Sequence, residues 1–267
     1  MAISKHLFSV EPLVTLYDSF IYCTKSFSQL ASNIQALELL EKKYNKKVFI
    51  MSTNSLHNRK TFAELIKSSY NVTLNPSSIY LSNYLYAKYL SSLTPPIKNI
   101  YCLGNPHFQS EFKDFTLLGT EDKSNKIIDP QAILKIVKER KIDVVIVGLD
   151  KEYIAYNIFV SSFAVELGAK LMVTTRQVNF EESGELLPDA GAIVAGIEVS
   201  TTTNAESILE ETSFPFEIII KENELKGKTL IILEKEVVIG KLDLDVCRMC
   251  EDQVTDAKYS MSKLNII

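Results

Sequence analysis

The sequence predicts an α/β protein with a second α/β lobe inserted into its core. Short apolar runs alternate with longer amphipathic stretches, the pattern of strands joined by crossover helices. The run Asp143–Val147 is fully apolar after its first residue, as a strand buried on both faces should be. Thr94-Pro95-Pro96 interrupts the alternation as a linker, and the stretch from about Leu93 to Gln177 then holds a strand–helix–strand series of its own.

Leu13–Tyr17 is the first apolar run. Ser32–Tyr44 is predicted helical because Ile34, Leu37, Leu40 and Tyr44 recur at helical spacing. Val48–Met51 is a compact strand, and the polar loop Ser52–Asn58 comes after it. Thr61–Ser68 reads as a helix with Phe62, Leu65 and Ile66 on one face. Asn75-Pro76 breaks the chain, Ser77 and Ser78 can cap the next element, and Leu81–Leu90 is a tyrosine-rich helix. Beyond the linker, Asn99–Leu103 is a strand ending at Gly104. Asp129 and Pro130 supply the N-cap and first helical position of a helix reaching Arg140. Tyr153–Leu167 is a helix stopped by Gly168, and Leu171–Val173 is a strand. Ala192–Val199 is apolar and compatible with a helix, while Phe216–Ile220, Thr229–Leu233 and Glu236–Ile239 are β-type runs. The predicted division is a discontinuous core of residues 1–90 and 182–267 around a lobe of residues 91–181.

At 267 residues the chain is long for one core and short for two large domains, which suits an insertion. Its 46% hydrophobic and 23% charged residues are ordinary for a soluble globular protein. A net charge of −4 leaves no excess of cations to displace phosphate counterions, so nucleic acid is not an expected partner. No apolar run approaches the roughly 20 residues that span a bilayer, and Met1–Pro12 lacks the apolar centre of a secretory signal. The expected location is the cytoplasm, with no membrane partner. Cys247 and Cys250 form a C-x-x-C without a second ligand pair, and His6, His57 and His107 have no ligand spacing to it. With Cys23 and Cys102 they read as reduced thiols.

Five segments carry a resemblance. They are IYCLG (Ile100–Gly104), VVIVGLDKEYIAYNIFVSSFAVELG (Val144–Gly168), AKLMVTTRQ (Ala169–Gln177), GELLPDAGAIVAGIEV (Gly184–Val199) and IMSTNSLHNR (Ile50–Arg59). In order and spacing over about residues 13–245 they resemble the p-nitrophenylphosphatase/phosphoglycolate phosphatase branch of the haloacid dehalogenase superfamily. The resemblance implies a doubly wound, mostly parallel, Rossmann-like core with a large α/β cap inserted after the second motif. It places the active site at the carboxyl ends of the core strands.

The family's chemistry needs a carboxylate nucleophile, a second acid two residues later, a hydroxyl and a lysine on the phosphoryl oxygens, and acidic ligands for Mg²⁺. The resemblance puts the nucleophile position on Leu16, which has no nucleophilic atom, and the second acid on Asp18, which reads equally as a turn residue. Ser52 falls on the hydroxyl position, with Asn54 and Ser55 beyond it. These three form either a residual anion site or an ordinary polar loop. The lysine position falls on Glu211, where a carboxylate about 4 Å from a phosphate charge would cost roughly 4 kcal/mol at an effective dielectric of 20. The metal-binding acid becomes Glu234, or Lys241 in a rival register, and the substrate-facing acid of the cap becomes Gln177.

The resulting expectation is a pseudophosphatase with no catalytic residues and no resident cofactor. Asp18 and Glu234 are left as weak metal ligands, with Mg²⁺ called for only if activity persists. Such a chain would act as a binding, scaffold or regulatory subunit; the alternatives are a divergent Mg²⁺-dependent phosphatase or a sensor of phosphorylated metabolites. The resemblance also implies a homodimer or heterodimer through the cap. Tyr80, Tyr84, Tyr86 and Tyr89 would either line that contact or pack the hinge.

Overall fold

A computed structural model of the chain describes residues 15–24, 27–119, 121–124, 129–182, 184–233 and 245–248. The first elements are β1 (Ser19–Thr24), α1 (Phe27–Lys42), β2 (Lys47–Ser52), α2 (Arg59–Tyr70), β3 (Ile79–Leu81) and α3 (Ser82–Ser92). Next come β4 (Asn99–Leu103), α4 (Pro106–Gln109), β5 (Thr116–Leu118), α5 (Pro130–Arg140), β6 (Val144–Val147), α6 (Ala155–Glu166) and β7 (Lys170–Val173). The chain continues through β8 (Asn179–Glu182), β9 (Glu185–Pro188), α7 (Ala190–Thr201), α8 (Ile208–Glu211), α9 (Phe214–Glu222), β10 (Thr229–Leu233) and β11 (Asp245–Arg248). Two compact units form: residues 1–53, 59–81 and 211–267 make the first, and residues 54–58 and 82–210 the second.

The first unit is built on a parallel sheet in the order β11-β10-β1-β2-β3. Every residue of β1 is buried, which is why Phe20-Ile21-Tyr22-Cys23 runs apolar without alternation. On one face Phe20, Tyr22, Val48, Ile50, Leu230 and Ile232 pack with Leu30, Ile34 and Leu37 of α1 and Phe62 and Ile66 of α2. On the other, Phe49 and Tyr80 meet edge to face at 6.2 Å. The Tyr80 hydroxyl accepts from the Asn223 amide at 2.7 Å, just past α9, and donates to Glu222 at 3.3 Å. Helical structure on both faces makes the sheet doubly wound, as predicted.

The first strand is Ser19–Thr24, just after the apolar run Leu13–Tyr17, of which Thr15 and Leu16 are helical. One reading of this unit is corrected. Phe216–Ile220 belongs to helix α9: Pro215 sits in its first turn, where its fixed φ favours helix, and Phe216 and Ile219 bury one face. The run Glu236–Ile239, Cys250, Glu234 and Lys241 lie outside the described residues; Cys247 lies in β11.

The second unit has a parallel sheet in the order β5-β4-β6-β7 and the antiparallel hairpin β8–β9. Asp129 caps α5 by accepting from the Gln131 N–H at 3.0 Å, as its sequence announced. Arg140 grips buried Asp122 through two bonds of 2.6 and 2.9 Å, and Asp122 accepts from the Tyr101 hydroxyl at 2.9 Å. The Asn157 amide donates to that hydroxyl at 3.0 Å, so these polar groups are mutually satisfied. Burial pushes the Tyr101 hydroxyl well above its ordinary pKa.

The unit boundaries differ from the predicted 91–181 lobe. Ala190, Ile193, Val194 and Ile197 of α7 share one core with Val145, Val147, Leu171 and Val173, which draws α7 into the second unit. Tyr86 of α3 donates to the Val173 carbonyl at 2.5 Å and accepts from the Ile208 N–H at 3.2 Å, fixing α3 there too. Tyr80 and Tyr86 are therefore buried structural residues, not contact-surface aromatics. No helix among the described residues is long and apolar enough to cross a membrane.

Candidate functional site

In a parallel α/β sheet the strands end together, and ligand chemistry collects at that carboxyl edge. In the first unit the register puts Thr24 opposite Ser52, and Cys23 opposite both Met51 and Leu233. Thr24, Ser52 and Thr53 are buried hydroxyl residues at this edge. Cys23 beside them is fully buried, and desolvation raises its thiol far above the ordinary range, so it is no thiolate nucleophile at neutral pH.

Asp18 stands at the other end. It precedes Ser19, which pairs with Lys47 and Thr229 at the starts of β2 and β10. Its N–H donates to the Lys228 carbonyl at 2.8 Å, and its carboxylate accepts the Lys228 N–H at 3.1 Å. The Ser19 and Thr229 hydroxyls meet at 2.8 Å beside it. Gly227 leaves room for it, since a Cβ there would lie 2.1 Å from the Asp18 carboxylate and oblige that side chain to move. Asp18 thus fastens the amino edge of the sheet. Six residues at about 3.3 Å each separate it from the level of Ser52, a distance of the order of 17–20 Å.

In the second unit, residues 54–58 are held by their own surroundings. The Asn54 carboxamide oxygen accepts from the Leu56 and His57 N–H groups, both at 3.1 Å. The Ser55 hydroxyl accepts from the Leu149 N–H at 2.8 Å, and the Asn54 carbonyl accepts from the Ser82 hydroxyl at 2.8 Å. The Asn83 amide donates to the His57 and His107 carbonyls at 3.1 and 3.2 Å. The two imidazoles stack 6.4 Å apart, and burial, followed by the neighbouring His107, lowers the His57 pKa from its ordinary value.

The loop after β7 is equally engaged. Glu210 accepts from the Thr175 hydroxyl at 3.0 Å and the Arg176 N–H at 2.8 Å. The Gln177 amide donates to the Asn179 carbonyl at 2.6 Å, and the Gln177 carbonyl accepts from the Gly191 N–H at 3.0 Å. Gly191 permits that approach, because a Cβ would lie 2.5 Å from the Arg176 carbonyl oxygen.

Residues 25–118 match the family described as haloacid dehalogenase-like hydrolase. Phosphoglycolate phosphatase 2 of Arabidopsis thaliana is 24% identical over 194 residues, 70% of this chain and 64% of that protein. The chain therefore spans less than two thirds of that relative's length. A thermostable NPPase double mutant from Geobacillus stearothermophilus superposes with a TM-score of 0.69 at 19% identity, over 90% of this chain and 93% of that one. Glycerol phosphate phosphatase from Mycobacterium tuberculosis, in complex with magnesium, gives 0.68 at 12% identity, over 84% and 64%. The chain is thus similar to haloacid dehalogenase-like hydrolases over residues 25–118 and shares the fold of these phosphatases over most of its length.

For a haloacid dehalogenase-like fold, several predicted positions move. Leu16 and Asp18 lie at the amino edge, away from Ser52, so neither occupies the position the first motif requires. The carboxyl end of β1, at Cys23 and Thr24, is the place where that motif must act. The Asn54 carboxamide oxygen accepts from its own loop, and the Ser55 hydroxyl accepts from the Leu149 N–H. Glu211 is exposed at the end of α8, and Glu210 is the carboxylate that serves the β7 loop.

Among the described residues no donor set fits an ion such as the Mg²⁺ of the Mycobacterium tuberculosis structure. Of the two acids the resemblance leaves as metal ligands, Asp18 lies at the amino edge and Glu234 lies outside the described residues. No cluster of three His, Cys, Asp or Glu side chains suited to a metal occurs among the described residues. Sequence reasoning missed Thr24, Thr175 and Glu210. The six-residue buried run of β1 was the signal for the first, and nothing local announced the last two.

Proposed function

We propose that this chain is a binding protein on a haloacid dehalogenase-like phosphatase fold that no longer forms an aspartyl-phosphate. One observation carries the reading: no Asp or Glu occurs between Asp18 and Glu38, so the carboxyl end of β1 has no acid to act as nucleophile. Thr24 and Ser52 bring hydroxyls to that end, which can hold a polar group. The lysine of the family that the sequence resembles stands in a Gly-Lys-Pro motif; reading its proline onto Pro215, where α9 opens, moves the lysine position from Glu211 to Phe214, which is no cation either. The partner is then another protein or a second copy of the chain, engaged through the inserted lobe.

The names of the relatives favour a second reading, a divergent Mg²⁺-dependent phosphatase acting on a small phosphate ester. Purified protein, assayed for p-nitrophenyl phosphate and phosphoglycolate hydrolysis with and without Mg²⁺, separates the two. The binding reading expects wild type and Ser52→Ala to be equally without turnover. Mg²⁺-dependent turnover that Ser52→Ala abolishes overturns it in favour of the phosphatase. A third possibility, a phosphorylated-metabolite sensor, would give no turnover but a rise in Tm with phosphoglycolate that Ser52→Ala removes.

A further inference from the structure

We propose that the amino edge of the first unit's sheet is a docking surface for an acidic peptide segment of a partner protein. Two lysine-rich loops lead into the strands on either side of β1: Lys43, Lys46 and Lys47 before β2, and Lys221, Lys226 and Lys228 before β10. All are exposed except Lys46, which is half-buried. Contacts join the loops into one surface. The Lys47 ammonium donates to the Asn223 carbonyl at 3.4 Å, and Lys228 exchanges backbone hydrogen bonds with Asp18. Neighbouring strands lie about 4.8 Å apart, so the starts of β10, β1 and β2 span roughly 10 Å, about one Debye length at 0.1 M salt. The lysines therefore act as one field.

The acids of this edge are Asp18, Glu41, Glu222 and Glu224. Asp18 is turned to the Lys228 N–H and Glu222 to the Tyr80 hydroxyl, whereas the lysines, half-buried Lys46 apart, are exposed. That concentration of cations runs against the chain's net charge of −4. It favours acidic protein over nucleic acid. Neither loop contains an arginine, and Tyr44 is half-buried with Lys43 4.9 Å from its ring centroid, so it is a poor stacking platform for a base. Lysines interleaved with Glu41 and Glu224 suit a peptide of mixed polarity better than a uniform line of phosphates. The inference rests on charge at this edge and is independent of whether the chain hydrolyses phosphate esters.

The test is fluorescence anisotropy of a labelled polyglutamate peptide titrated with the full chain, at low salt and at 0.5 M NaCl. The comparison is the triple variant Lys46→Glu, Lys226→Glu, Lys228→Glu. A control variant, Lys60→Glu, Lys135→Glu, Lys138→Glu, carries the same net charge with its substitutions on α2 and α5. Lys→Gln versions at Lys46, Lys226 and Lys228, checked by circular dichroism, separate loss of charge from loss of fold. Expected are salt-sensitive binding by wild type and the control, and a loss of about tenfold or more in the amino-edge variants. Equal binding by the amino-edge and control variants overturns the proposal, as does no binding by wild type. Tighter binding of a single-stranded oligonucleotide of equal charge overturns it in favour of nucleic acid.

Discussion

The two edges of the first unit's sheet have opposite characters. The carboxyl edge, where a haloacid dehalogenase-like phosphatase does its work, ends in Cys23, Thr24, Ser52 and Thr53, all buried and none an acid. The amino edge carries Asp18 and a set of exposed lysines, with Asp18 committed to the backbone of Lys228. The contrast separates what a fold needs from what chemistry needs. Parallel register runs through the whole sheet and burial through β1 and nearly all of β2, because losing them would cost the core. The groups at its ends contribute less to the core and are freer to change.

The largest test removes the frame both edges share. Phe20→Ala empties a fully buried site between α1 and α2 and should cost about 3–5 kcal/mol in urea unfolding. A much smaller loss would mean that β1 is not the central strand and that the two edges are misassigned.

Next comes the amino edge alone. Gly227→Ala forces a Cβ against the Asp18 side chain and should destabilise by about 1–3 kcal/mol. Asp18→Ala by itself should cost about 1 kcal/mol for the lost acceptor. In the double variant the two losses should sum to more than is observed, because the clashing carboxylate has been removed. Simple additivity would detach Asp18 from Gly227.

At the carboxyl edge, Ser52→Ala should lower stability by about 1 kcal/mol and leave the response to inorganic phosphate unchanged. A phosphate-dependent rise in Tm that the variant loses would restore ligand chemistry to this edge.

The smallest effect lies outside the sheet, in the second unit. His57 has a lowered pKa in the fold, so its neutral form is the one the structure favours. Below its ordinary value of 6.5 the unfolded chain takes up the proton first, so stability is full above pH 6.5 and declines as the pH falls toward the lowered folded pKa. The Tm of wild type should drop more than that of His57→Gln between pH 7.5 and 5.5. Parallel drops would show that the stacked pair does not sense protons.

The fold was legible wherever burial left a run or a period. Val144–Val147, Lys47–Ser52 and the capped helix at Pro130 stand close to where the sequence put them. Phe216–Ile220 misled because an apolar run of five residues suits a strand and a short buried helix equally; Pro215 was the unused clue. The first motif was displaced because Asp18 drew it toward itself, although Phe20–Cys23 is the better buried run. At the candidate site, Ser52 could be read from its place after β2. The roles of Asn54, Ser55 and Glu210 could not, since their partners Leu149, Thr175 and Arg176 are distant in sequence or set by the turn.

The strand order has a consequence for synthesis. β1 lies between β2 and β10, yet β10 begins at Thr229, about 150 residues after β3 ends. At roughly 5–20 residues per second, the ribosome takes of the order of 7–30 s to deliver it. Through that interval one side of β1, apolar from Phe20 to Cys23, stays an open edge able to pair with any stray strand. The nascent chain should therefore lean on chaperones until its fourth parallel strand arrives, whatever the finished protein does.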